Sequence, residues 1–114
     1  MITPKTVSFA GQAAEAVVVL KSIAHEGRLL VLCYLSEAGE LSVGELVDKI
    51  DLSQSALSQH LAKLRAEGLV ATRKSSQTVY YRIADPRVLT LLATLHDLYC
   101  PAVGHVEKSG AEVW

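Results

Sequence analysis

Leu41 to Ile83 read LSVGELVDKIDLSQSALSQHLAKLRAEGLVATRKSSQTVYYRI, and this stretch decides the fold. Ser42-Val43-Gly44-Glu45 has the Ser-x-x-Glu form of a capping box, in which hydroxyl and carboxylate satisfy each other's backbone N–H groups. A short helix therefore begins there and buries Val43, Leu46, Val47 and Ile50. After Asp51-Leu52, Ser53 is the N-cap of another helix, whose inner stripe is Leu57, Leu61 and Leu64 and whose end is Gly68. Two capped helices joined by so short a turn make a helix-turn-helix. Leu69–Lys74 and Thr78–Ile83 are rich in Val, Thr and Tyr and flank the polar Ser75-Ser76-Gln77, so they form a two-stranded hairpin.

Upstream, Ala13, Ala14, Val17, Val18 and Leu20 repeat at helical spacing and predict a first helix over Ala10–Ala24 with a broad apolar surface. Arg28–Leu35 forms a second helix with Leu29, Leu32 and Cys33 facing inward, closed by Ala38-Gly39. Downstream, Asp85-Pro86 starts a last helix that runs to about Cys100, before Pro101. Val88, Leu89, Leu91, Leu92, Leu95, Leu98 and Tyr99 cover more than one face of it. The order is four helices, two strands and a helix: a mainly α winged helix-turn-helix, one domain over residues 1–114, with 1–9 and 103–114 as flexible tails. A domain this small cannot readily bury both the first and the last helix, so a homodimer joined through these two is expected over a monomer that wraps them on its own core.

Half of the residues are apolar and a fifth are charged, as in a globular protein. The longest apolar runs, such as Ala16–Leu20, fall far short of the roughly 20 residues that cross a bilayer. Glu15 interrupts the N-terminal apolar segment, which argues against a secretion signal and for the cytoplasm, where thiols stay reduced. The net charge of −1 conceals an asymmetry: Glu37–Asp51 holds five acids against Lys49, whereas Ser53–Arg82 holds Lys63, Arg65, Arg73, Lys74 and Arg82 against Glu67. There is no Cys-x-x-Cys, no glycine-rich phosphate loop and no set of nucleophile, base and orienter, so neither an enzyme nor a bound cofactor is expected.

The helix after Ser53 presents Gln54, Ser55, Ser58, Gln59 and Lys63 opposite its leucine stripe, with His60 at the margin. An α-helix fits the major groove, glutamine pairs bidentately with adenine, and the free N–H groups at Ser53 accept a phosphate. Taken alone, such polarity better describes a solvated helix face. The order of elements, with Arg73 and Lys74 on the following hairpin, favours double-stranded DNA as partner.

The stretch resembles the ArsR/SmtB family of winged-helix bacterial repressors, most specifically through SQSALSQHLAKLRAEGLV, with similarity from about Leu20 to Cys100. The resemblance implies a homodimer that binds a palindromic operator and lets go when an inducer binds. Ser58 and His60 match the recognition-helix pattern; Ser53, Gln54, Ser55, Gln59 and Lys63 join them by position on that helix. Lys74 is then the main wing contact, with Arg73 pairing nearby and Gln77 at a wing tip that lacks the glycine many relatives carry.

Metal sensing in this family uses cysteines in the segment matching LSVGELVDK, which has none, or paired Asp, His and Glu ligands near the C-terminus. Here Thr94-Leu95-His96 and His105-Val106-Glu107-Lys108 leave both pairs incomplete, so no metal site is expected. Cys33 in RLLVLC and Cys100 in LYCP match a two-cysteine subgroup, the HlyU, BigR, SqrR and YgaV type, whose members respond to persulfides, polysulfides or oxidants. The resemblance implies the same inducer here. The alternatives are an ArsR-type repressor with another inducer, metal or small molecule, whose cysteines merely pack, and an adaptor that keeps the winged fold without DNA.

Overall fold

The computed structural model describes residues 2–99, with side chains from Phe9 onward; Cys100, His105 and the segment 103–114 lie outside the described residues. The elements are α1 (Ile2–Ile23), α2 (Glu26–Ala38), β1 (Leu41–Ser42), α3 (Val43–Lys49), α4 (Gln54–Ala66), β2 (Val70–Ser75), β3 (Thr78–Ile83) and α5 (Pro86–Tyr99).

The helix boundaries follow local chemistry. The capping box at Ser42 forms in both directions, with Glu45 N donating to Ser42 Oγ at 3.2 Å and Ser42 N to Glu45 Oε1 at 2.9 Å. Ser53 Oγ accepts from Ala56 N at 3.0 Å, and Asp85 Oδ1 accepts from Arg87 N at 2.9 Å beside the proline that opens α5. Gly39 and Gly68, at φ 89° and 77°, take the left-handed backbone that lets the chain leave α2 and α4.

Leu57, Leu61 and Leu64 of α4 are fully buried, as their spacing predicts, in one core cluster with Val31, Leu32 and Leu35 of α2, Leu46 of α3 and Val88 of α5. Each such side chain contributes about 1.5–3 kcal/mol of apolar burial, so this cluster sets the pose of α4 on the body. The wing pairs Val70 with Ile83 through Ser75 with Thr78, leaving Ser76-Gln77 as the turn. In that turn Ser76 adopts φ 58°.

Two features depart from the sequence reading. The first helix begins at Ile2, well before Ala10. The hairpin gains a third strand, because Leu41 and Ser42 pair with Tyr81 and Tyr80, giving the order β1-β3-β2. On α1 and α5 a large apolar surface stays exposed, including Phe9, Val17, Val18, Leu20, Leu89, Leu98 and Tyr99. Among the described residues no helix is long and apolar enough to cross a membrane.

Candidate nucleic-acid interface

Burial of its leucine stripe fixes which way α4 faces. Gln54, Ser55, Ser58, Gln59 and Lys63 are all exposed on the outer side, and Ser53 is exposed at its N-terminus. Near that end the unpaired backbone N–H groups and the helix dipole favour an anion. The outer face thus offers amides and hydroxyls that reach base edges, flanked by groups that suit phosphates.

The C-terminal half of α4 is fastened to the end of α1. Ser22, almost wholly buried, donates through its hydroxyl to Glu67 Oε1. Glu67 also pairs with Lys63 Nζ at 3.2 Å, and these two donors hold its carboxyl below the usual carboxylate range. Arg28 Nε donates to the Ser22 carbonyl at 2.6 Å, so one short chain of contacts joins α1, α2 and α4.

His60 is at the margin of the exposed face, as its spacing predicts, but its ring turns to the α1–α2 junction. Its centroid lies 4.6 Å from that of His25, at an interplanar angle of 56°. His25 caps α2, accepting from Gly27 N on Nδ1 at 3.0 Å. Burial, then the neighbouring His25 and Arg28, pull His60 below the usual imidazole value. Gly27 is buried against the same ring: a Cβ there would stand 2.7 Å from His60 Nε2.

On the wing, Lys74 and Gln77 are exposed. Arg73 is engaged internally, donating to Glu40 through Nε at 2.7 Å and Nη2 at 2.8 Å, with its guanidinium 4.8 Å from the Tyr80 ring centre. The arginine holds Glu40 below the usual carboxylate range. Position on the helix and the hairpin points to His60 and Arg73 but to neither partner. Glu40 is 33 residues from Arg73 and His25 is 35 from His60 (60 − 25), and no local spacing connects them.

Cys33 is half-buried on α2, beside the apolar core, and α2 packs on α5, whose last described residue, Tyr99, precedes Cys100. No group of three or more His, Cys, Asp or Glu among the described residues could hold a metal ion.

Residues 25–72 match the family described as "Bacterial regulatory protein, arsR family". The chain is similar to the transcriptional activator HlyU of Vibrio cholerae, 56% identical over 89 residues that cover 78% of this chain and 82% of the relative. It is similar to the biofilm growth-associated repressor of Agrobacterium fabrum, 40% identical over 89 residues, 78% of this chain and 75% of that protein. The crystal structure of the transcriptional regulator HlyU from Vibrio vulnificus superposes with a TM-score of 0.77 at 53% identity, covering 84% of this chain and 99% of that one.

Proposed function

The chain belongs to the ArsR family of bacterial regulatory proteins and is a DNA-binding transcriptional regulator, not an enzyme; from that premise we propose how it holds DNA and what makes it let go. Two protomers pair through α1 and α5 and set their α4 helices into successive major grooves of a palindromic operator, acting in the cytoplasm as a repressor. Gln54, Ser55, Ser58 and Gln59 read base edges. Ser53, Lys63, Lys74 and Gln77 hold the sugar-phosphate backbone. His60 and Arg73 position the recognition helix and the wing rather than touch bases.

The observation that carries this reading is the polar face of α4, exposed from Gln54 to Lys63 because the opposite leucines are wholly buried. The exposed apolar residues of α1 and α5 supply the pairing surface. Fluorescence anisotropy with an operator duplex selected from a random library tests it. Gln54→Ala should relax sequence preference at a cost of about 1–3 kcal/mol, and Lys63→Ala should lower the salt slope of binding by about 1 per contact. Unchanged binding in both would overturn it.

Cys33 and Cys100 form the release switch, reacting with persulfides, polysulfides or oxidants. Cys33 sits on the body that carries α4, and Cys100 follows the helix proposed to dimerise. A covalent bridge across residues 34–99 constrains the chain by about 4 kcal/mol in the loop-entropy treatment, more than a typical allosteric coupling of about 1–3 kcal/mol. Peroxide would join the thiols in one disulfide with release of two waters, whereas two persulfide donors would each pass their outer sulfur to one cysteine and leave as thiols, and the two protein persulfides would condense to a longer trisulfide with loss of hydrogen sulfide. Operator binding by reduced, peroxide-treated and persulfide-treated protein, with mass analysis of the Cys33 and Cys100 peptides, decides the matter. Persulfide release that persists in Cys33→Ser would show another inducer site and packed cysteines.

A further inference from the structure

Glu40, directly before β1, lies where alternation along the sheet brings cations together. Ser42 and Arg73 both pair with Tyr80, and Ala71 pairs with Arg82, so Glu40, Arg73, Tyr80 and Arg82 share the outer face of the sheet. Arg73 presents both donors of its fork to the two carboxylate oxygens of Glu40 while lying over the Tyr80 ring. Arg82 adds its field to the same carboxylate. A guanidinium fork meets a phosphate in the same bidentate manner, so a carboxylate held there fills the seat of a phosphate.

We propose that Glu40 is a specificity-determining residue that acts as an internal phosphate surrogate, holding Arg73 so that this arginine adds no sequence-independent attraction to DNA. The inference rests on the DNA-binding reading above. Free arginines on a wing would bind any duplex, since phosphate contacts carry no sequence information. With Arg73 neutralised, discrimination falls to α4, and the wing contributes through Lys74, whose position alternates to the opposite face of β2.

The exposed Glu40–Arg73 pair contributes little to stability, so its variants should fold, as circular dichroism would verify. The test measures affinity for a random-sequence 30-base-pair duplex across a salt series, for wild type, Glu40→Gln, Arg73→Gln and the double variant. Glu40→Gln should tighten this non-specific binding several-fold at low salt and steepen the plot of log K against log salt by about 0.9 for each wing that gains a phosphate contact. Arg73→Gln alone should leave the slope unchanged, and in the double variant the gain should vanish.

Two results would overturn the proposal. Equal tightening by Glu40→Gln with and without Arg73 would mean that only net charge had changed. A shallower slope in Arg73→Gln alone would mean that Arg73 already leaves Glu40 for a phosphate. Wild-type protein that binds neither the random nor the selected duplex would instead remove the DNA-binding reading, and this inference with it.

Discussion

Replacing Gly27 with alanine tests how tightly the recognition helix is seated. At an open helical position the change stabilises by up to about 1 kcal/mol, because glycine is the weaker helix former. Here the added Cβ would stand 2.7 Å from His60 Nε2, 3.1 Å from His60 Cδ2 and 3.3 Å from His25 Cε1. The imidazole must move, and the ring of His25, 4.6 Å away, crowds the same Cβ while being held by its bond to Gly27 N. Overpacking of this kind costs about 1–3 kcal/mol, which outweighs the propensity gain and leaves Gly27→Ala destabilised by about 1 kcal/mol. Urea unfolding followed by far-ultraviolet circular dichroism measures the difference. In a His60→Ala background the two shortest contacts are gone and only His25 Cε1 at 3.3 Å remains, so the same substitution should become nearly neutral or stabilising, with an interaction energy of about 1–3 kcal/mol across the cycle. Equal effects of Gly27→Ala in both backgrounds would refute the packing argument.

Acid should weaken the same contact. The folded pKa of His60 lies below the ordinary value of 6.5, so the unfolded chain takes up the proton first. Its contribution is therefore intact above that value and lost as pH falls below it; the urea midpoint should drop between pH 7.5 and 5.5, less steeply in His60→Gln. Ser76→Gly should raise stability by about 0.5–1 kcal/mol, since φ 58° burdens any residue with a Cβ; a lower melting temperature would contradict this. Leu61→Ala, in the buried stripe of α4, should cost about 2–5 kcal/mol in the same unfolding assay. Val18→Lys, on the exposed face of α1, should leave the fold intact and shift sedimentation toward the monomer; an unchanged association state would exclude α1 from the interface.

The parts of the fold that were legible in the sequence rest on contacts made within one turn or one hairpin. Ser42 with Glu45, Ser53 with Ala56 and the stripe Leu57-Leu61-Leu64 each state their own geometry, and each occurs as read. What could not be read depends on distant partners. β1 is only two residues long, and it is a strand because Tyr80 and Tyr81 are there to pair with it. Histidine is an uncommon helix cap, and His25 gave no sign of serving as one or of meeting the recognition helix through His60. Arg73 reads as a cation on a basic hairpin, and nothing in its local sequence marks Glu40 as the carboxylate that holds it. The exposed polar face of α4 was legible because the buried face was, and the two are one periodicity seen from opposite sides.

Ser22 is a small residue at an awkward place, buried between the end of α1 and the end of α4, with Arg28 on its carbonyl and Glu67 on its hydroxyl. In a pair of protomers joined through α1, the angle between the two recognition helices is measured from that junction. Operator half-sites lie about 10 base pairs apart, centre to centre, and a few degrees at the junction would put one helix out of phase with its groove. In the proposed pair, the spacing of the DNA site would then depend on Ser22 and Arg28, whose bonds run between helices and not to the outer face of α4, and an altered spacing would be selected first at these two.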